Sequence, residues 1–211
     1  MIEKTLYLIR HAEPDFPSGE RICLGQKNDL PLSCAGMEQA ALLQSAFRAV
    51  PLEAVYTSPL LRAKETAEAV ADGKPLHVLD SLIELSGGEW DGLPIAGLRE
   101  RYPEYFVPGT SFTCPPGGES DESGLARALS ALHFIDQRTE RCAAIVAHSG
   151  INRLLLCHLL GRPTSEKRQL RHGYAAFAIL ILKDGRWQAA KTGIAPEDAE
   201  AAVSGREGRH D

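Results

Sequence analysis

Apolar residues in this chain fall into short runs that alternate with longer stretches of helical spacing. Thr5–Ile9 is a β-prone run and reads as a buried strand. Ala12–Asp29 loses that pattern, is rich in Pro, Gly and charge, and reads as a loop. Ser33 is a candidate N-cap, and Ala40, Leu43, Phe47 and Val50 set a helical face that ends near Pro51. Ala54–Thr57 is a second strand. Ser58-Pro59 then opens a helix through about Ala71, with Leu60, Ala63, Ala67 and Val70 as its stripe. Proline suits a first helical turn because its missing N–H has no partner there.

Leu76–Leu79 is a third strand, Ser86–Gly97 is Gly-rich and irregular, and Leu98–Tyr102 reads as a helical turn stopped at Pro103. Residues 107–118 read as a long loop. Ser120 caps a helix to about Arg138, with Leu125, Leu129, Leu132 and Ile135 on one face. Ala143–Ala147 is a buried strand, and Ile151–Leu160 is a helix ended by Gly161. Ala175–Leu182 and Trp187–Ala190 form a hairpin around Asp184-Gly185. The tail from Pro196 is a marginal helix or a frayed end. Strands alternating with helices make the α/β pattern with a largely parallel sheet. Ligands of such sheets bind beyond the carboxyl ends of strands. Arg10-His11, Ser58–Arg62 and His148-Ser149 all fall at or just past such ends, which groups residues far apart in sequence.

Composition narrows the partners. The chain has 211 residues, a net charge of −5 and 44% hydrophobic residues, as expected of one globular domain. The acidic balance argues against a general nucleic-acid binder. No apolar run approaches a membrane span, and the N-terminal run is too short for a signal-peptide core, so a cytoplasmic protein is expected. Cys23, Cys34, Cys114, Cys142 and Cys157 are scattered, with no CxxC pair, and read as free thiols.

Four segments carry candidate chemistry. His11 follows a strand, where neutral imidazole is a competent nucleophile, and Arg10 beside it offers a forked donor for phosphate oxygens. Arg62 falls in the first turn of a helix, where the dipole favours an anion. Glu84 lies between apolar residues and just before glycines, a setting for a general acid; Glu89 and Asp91 are its rivals. His148 ends a strand just before a helix, so its ring and the following backbone N–H groups, Ser149 included, can stabilise a transferring phosphoryl group. Each segment alone has an ordinary surface or core reading. Together they supply a nucleophile, a cationic cage and a proton donor, which is what phosphoryl transfer needs. No Asp-rich metal site is evident, so no metal or cofactor is expected and the cationic side chains stand in for Mg²⁺.

The same residues resemble the histidine phosphatase superfamily, also called phosphoglycerate mutase-like, from about Thr5 to Lys191. Arg10-His11-Ala12-Glu13 resembles its Arg-His-Gly-Glu signature. Asp29-Leu30-Pro31-Leu32-Ser33 with Gly36, Gln39 and Ala40 resembles its D-x-P-L…G…Q-A segment. Ser58-Pro59-Leu60 with Arg62-Ala63 and Thr66-Ala67 resembles S-P-L-x-R-A-x-x-T-A. Glu84 with Gly88, Trp90 and Gly92, Pro116-Gly117-Gly118-Glu119-Ser120, and His148-Ser149-Gly150 with Arg153 complete the series in order. The resemblance implies a three-layer α/β/α sandwich with a mostly parallel central sheet. It implies one domain over residues 1–195, with 98–119 as a lid or insertion segment and 196–211 as a C-terminal tail. It implies a phosphohistidine on His11, phosphoryl binding by Arg10, Arg62, His148 and Ser149, acid–base work by Glu84, and a substrate contact from Arg21.

Four departures bear on this. Ala12 replaces the usual glycine, so the turn needs negative φ or carries strain. Pro17 stands where the motif normally carries an asparagine and removes one expected phosphate contact. Ser149 replaces a common glycine but keeps its N–H. The Gly25–Asp29 spacing is one residue long. The chain is short between the acid loop and the later helix, which favours a phosphatase over a phosphoglycerate mutase. The expected substrate is a small phosphomonoester, with an α-ribazole-5′-phosphate-like ester, sugar phosphates and nucleotides as candidates. A catalytically silent phospho-ligand binding protein is the alternative outside enzymes. The chain is expected to act as a monomer or homodimer without nucleic acid or membrane. Tyr102, Tyr105, Phe106 and Phe112 have a reading as packing on a substrate ring beside the favoured one as lid core, His172 reads as an outside candidate for the pocket, and His77, His133 and His158 as core or surface.

Overall fold

The structure is a computed structural model that describes residues 4–106 and 114–205. Six strands, β1 (Thr5–Arg10), β2 (Ala54–Thr57), β3 (Leu76–Val78), β4 (Cys142–Ala147), β5 (Phe177–Lys183) and β6 (Arg186–Ile194), form one sheet in the order β3, β2, β4, β1, β5, β6. The pairs β3/β2, β2/β4 and β4/β1 are parallel, whereas β5 runs antiparallel to both β1 and β6. The chain therefore crosses over between the first four strands and closes with the hairpin. Asp184 (φ +51°) and Gly185 (φ +75°) make its two-residue turn.

Side-chain alternation along the central strands separates two cores. Tyr7, Ile9, Val55, Ala144 and Val146 point to one face. There they meet Leu43 and Phe47 of α1 (Cys34–Phe47) and Ala63, Ala67 and Val70 of α2 (Leu61–Ala71). Leu6, Leu8, Tyr56 and Ile145 point to the other face. They meet Ala128, Leu132 and Ile135 of α4 (Asp121–Asp136) and Ile151, Leu155 and Leu156 of α5 (Ser149–Leu159). This is the three-layer α/β/α sandwich expected of the resemblance. Both read N-caps are present: Ser33 Oγ accepts from the Gly36 amide at 3.0 Å, and Ser120 Oγ from Ser123 at 3.2 Å. Cys142 and Cys157 are buried, and neither forms a disulfide.

Several boundaries differ from the sequence reading, each for a local reason. Helix α2 begins at Leu61, so Pro59 lies outside it; the Leu61 amide is instead capped by the carboxylate of Asp29. Helix α3 (Ile95–Arg101) starts three residues earlier than the turn read at Leu98, and a 3₁₀ turn follows at Pro103–Phe106. The buried stripe of α4 runs through Gly124, Ala128 and Ala131, with Leu125 and Leu129 only half-buried at its edge. Gly124 admits the Leu85 side chain, which a Cβ would meet at 2.3 Å. Helix α5 starts at Ser149, directly after His148. The tail is not frayed through Ser204: α6 (Ala199–Ser204) buries Ala199 and Val203 in the core that contains α1. Phe112 lies outside the described residues. Among the described residues, no helix is long and apolar enough to cross a membrane.

Candidate active site

The carboxyl ends of β1 and β4 open into a cavity of about 370 Å³. His11 sits on its floor. The His11 amide extends the ladder by donating to the Ala147 carbonyl at 2.9 Å, which fixes where the ring emerges. Its Nδ1 lies 2.7 Å from the Ala12 carbonyl oxygen. A carbonyl only accepts, so Nδ1 carries the proton and Nε2 keeps its lone pair. Burial, and after it the positive charges of Arg10 and Arg62, push the ring well below the ordinary histidine range. His11 is thus a neutral, oriented imidazole. Ala12 has negative φ and is fully buried, its amide donating to Thr66 Oγ1 at 3.0 Å, so alanine fits this turn without the strain a positive φ would bring.

Two guanidiniums flank this ring. Arg10 donates to the His172 carbonyl at 2.9 Å and lies 3.9 Å from the centre of the Tyr174 ring. Burial lowers it to about 10, still a cation at neutral pH. Arg62, 1% exposed, donates to the carbonyls of Asn28 at 2.9 Å and Gly25 at 3.0 Å. Burial lowers it as well. Both are held by neutral acceptors, neither forms an ion pair among the described residues, and the Nε of each is buried without a partner there. Two cations kept this way are costly until an anion joins them.

Glu84 reaches the cavity from the loop after the 3₁₀ turn Asp80–Leu82. Its Oε1 accepts from the Leu85 amide at 2.8 Å and from Ile151 at 3.1 Å, and Oε2 from Gly150 at 3.0 Å. The N-terminal amides of α5 are therefore occupied by Glu84. This corrects the expectation that the amides after His148 serve the phosphoryl group as a set; the Ser149 amide alone has no partner among the described residues. The N-terminus of α2 is likewise taken by Asp29, so helix ends add little to the cage. Gly150 is required here, because a Cβ would lie 2.5 Å from Glu84 Oε1.

His148 is fully buried behind the cavity wall, its ring centre 5.1 Å from that of His11. Its Nε2 lies 2.6 Å from Ser58 Oγ, and Nδ1 has no partner among the described residues. Burial, then His11 and the arginines, keep it well below the ordinary histidine range. Ser149 does not line the cavity. Arg21 does, at the mouth, with its side chain 69% exposed and 4.0 Å from the Glu13 carboxylate. Neither rival acid lines the cavity. Glu89 is exposed, and Asp91 accepts from the Gly87 amide at 3.0 Å and covers Gly25, where a Cβ would meet it at 1.7 Å. Pro17 is exposed and off the wall, although Phe16 is on it. His172 is also off the wall. Its carbonyl anchors Arg10, and its Nε2 meets the Asn152 amide nitrogen at 3.0 Å. His77, His133 and His158 are exposed.

Two residues at the site carried no recognised signal in the sequence. Tyr174 is placed over Arg10 by a turn in which Ala175 takes φ +53°, which costs roughly 1–2 kcal/mol for a non-glycine residue. Arg127 on α4 clamps the acid loop. It donates to the carbonyls of Ser81 at 2.9 Å and Ile83 at 2.6 Å, and its Nε and Nη2 meet Glu119 at 3.0 and 2.7 Å. Arg127→Ala is expected to lower kcat by about ten- to a hundred-fold with a small change in KM, since it displaces Glu84 and leaves the cationic cage intact. Steady-state kinetics on the folded variant checks this, and a pure KM effect overturns it. Among the described residues, no group of three or more His, Cys, Asp or Glu side chains is arranged to hold a metal ion.

An α/β sandwich that presents a neutral histidine at a strand end, beside two arginines with no carboxylate partner among the described residues, is an arrangement suited to phosphoryl transfer. The family model of the histidine phosphatase superfamily, branch 1, matches residues 6–194, and the chain belongs to that superfamily. The expectation of an enzyme of the phosphatase class holds on that membership. Phosphoserine phosphatase 1 of Hydrogenobacter thermophilus is 31% identical over 188 residues, covering 86% of this chain and 88% of the relative. A probable phosphoglycerate mutase of Yersinia enterocolitica is 30% identical over 193 residues, covering 87% of each chain. The solved structure of YhfR from Bacillus stearothermophilus aligns with a TM-score of 0.82 at 29% identity, over 91% of this chain and 98% of that one.

Proposed function

We propose that this enzyme hydrolyses a phosphomonoester through a phosphohistidine on His11, without a metal. The observation that carries the reading is the His11 ring: Nδ1 is pinned to a carbonyl, Nε2 is left as a lone-pair nucleophile, and two buried guanidiniums without carboxylate partners stand beside it. Nε2 attacks phosphorus and the P–O bond to the alcohol breaks. Arg10 and Arg62 stabilise the equatorial oxygens, and His148, its ring centre 5.1 Å from that of His11, joins them when its Nε2 turns from Ser58 to the phosphoryl group. Glu84 delivers a proton to the leaving alkoxide. It then takes one from water, which attacks phosphorus, breaks the Nε2–P bond and releases orthophosphate. Arg21 at the mouth contacts the incoming ester.

Hydrolysis is favoured over mutase chemistry because a mutase must retain a second anionic substrate group. Two further cations of the lining are engaged: Lys167 pairs with Asp121, and Arg168 donates to the Tyr105 carbonyl. The test is turnover of an aryl phosphate in the presence of a chelator, with a search for an acid-labile, alkali-stable phosphoryl label on the protein. Turnover with such a label is expected. Binding of the ester with neither signal would instead identify a silent phospho-ligand protein, and label without release in the absence of an acceptor alcohol would identify a mutase.

A further inference from the structure

We propose that the ester accepted here has a bulky apolar leaving group, an arylalkyl or comparably hydrophobic alcohol, and not a small charged one such as serine or glycerate. The proposal rests on the phosphatase reading of the same site. The cavity lining is of two chemical kinds. Arg10, His11, Arg62 and Glu84 suit the phosphoryl group. Phe16, Ile22, Trp90, Ile95, Leu98 and Phe106 in the same lining are the apolar surface left for the alcohol.

This apolar wall is built before any ligand arrives. The Ile22 segment is tied to the start of α3 by backbone bonds, Cys23 N to Leu93 O at 2.8 Å and Ile95 N to Arg21 O at 2.9 Å. Trp90 is stacked with Tyr102 and Phe106, at ring-centre distances of 5.3 and 5.9 Å, and meets Tyr105 edge-on at 5.0 Å. An apolar ligand therefore meets ordered surface and does not spend its binding energy on ordering side chains.

The charged groups on the wall are already engaged. Glu119 is held by Arg127, Lys167 by Asp121, and Arg168 by the Tyr105 carbonyl. Arg21 lies at the mouth, near Glu13. A phosphorylated amino acid would have to break one of these pairs, or reach out to Arg21 at the mouth, to seat its carboxylate, and would place its ammonium against hydrocarbon. The desolvation of such charges is not repaid by apolar contacts.

The test compares kcat/KM for 2-phenylethyl phosphate, O-phospho-L-serine and sn-glycerol 3-phosphate. All three release alkyl alcohols, so leaving-group acidity does not favour the aromatic ester. A preference for 2-phenylethyl phosphate of about ten-fold or more over both others is expected, in the range that added apolar bulk in a pocket supplies. Ile95→Asn and Phe16→Ala are each expected to cut that ratio at least about three-fold. If either variant fails to fold, the wild-type ratio still decides. Equal or faster turnover of either polar ester overturns the proposal while upholding the phosphatase. Turnover of an aryl phosphate with none of the three alkyl esters accepted also overturns it. Absence of turnover and of phosphoryl label with every ester, aryl phosphate included, sinks the phosphatase reading itself.

Discussion

His11→Ala is expected to eliminate phosphomonoester turnover, by roughly four orders of magnitude or more, together with the acid-labile label. No other side chain in the cavity offers an unprotonated nitrogen to phosphorus. His148 has its Nε2 engaged by Ser58 and lies behind the wall, and the four arginines on the wall are cations. The loss should not come from unfolding. The ring makes one hydrogen bond, to the next residue's own carbonyl, and the backbone amide that joins β1 to β4 is retained in alanine. The measurement is single-turnover phosphate release beside a urea unfolding curve of the variant. A folded His11→Ala protein that still releases phosphate at a tenth of the wild-type rate would move the nucleophile elsewhere. His148→Ala is the informative companion. It should slow formation of the label without abolishing it, because it removes stabilisation of charge and not the attacking atom.

The sheet was readable in advance because each central strand is a compact apolar run followed at once by a polar candidate residue. Which face each residue takes, Tyr7 and Ile9 on one and Leu6 and Leu8 on the other, came only with the structure. The candidate set was legible for the same reason: Arg10, His11, Arg62 and His148 sit in fixed register with strand ends or the first turn of a helix. What escaped depends on contacts between distant segments. Nothing near Asp29 in sequence shows that it caps α2, nor does anything near Glu84 show that it sits on the α5 amides; both fill positions that helix dipoles alone would reserve for phosphate. Arg127 looks like any polar residue on an amphipathic helix until the carbonyls of Ser81 and Ile83 are found at its fork. Tyr174 depends on a positive φ at Ala175, which no local pattern announces. Helix α3 started early because Ile95 is held by a backbone bond to Arg21, a long-range tie to the mouth of the cavity.

Mild acid should destabilise this protein steeply, as a direct cost of keeping the site unprotonated. His11, His148 and His172 are 3%, 0% and 1% exposed, and burial pushes all three below the ordinary value of 6.5, His172 to about 3. In the unfolded chain each would titrate near 6.5. Above that pH neither state binds these protons and the full stability is present. Below it the unfolded chain takes up to three protons that the native state refuses, so stability falls as pH falls. The slope is about 1.4 kcal/mol per pH unit for each histidine. Between pH 7.5 and 5.0 the three together remove about 6 kcal/mol, a large share of the roughly 5–15 kcal/mol typical of a domain. Asp91, whose carboxyl burial raises, works in the opposite sense, but only in the carboxylate range. Urea unfolding at the two pH values measures the difference. His172→Gln should remove about a third of it, and His11→Ala should flatten it by a similar amount while abolishing activity. A loss below about 2 kcal/mol would mean that at least two of the three rings accept protons in the folded protein, and with them that the nucleophile is not held neutral by its burial.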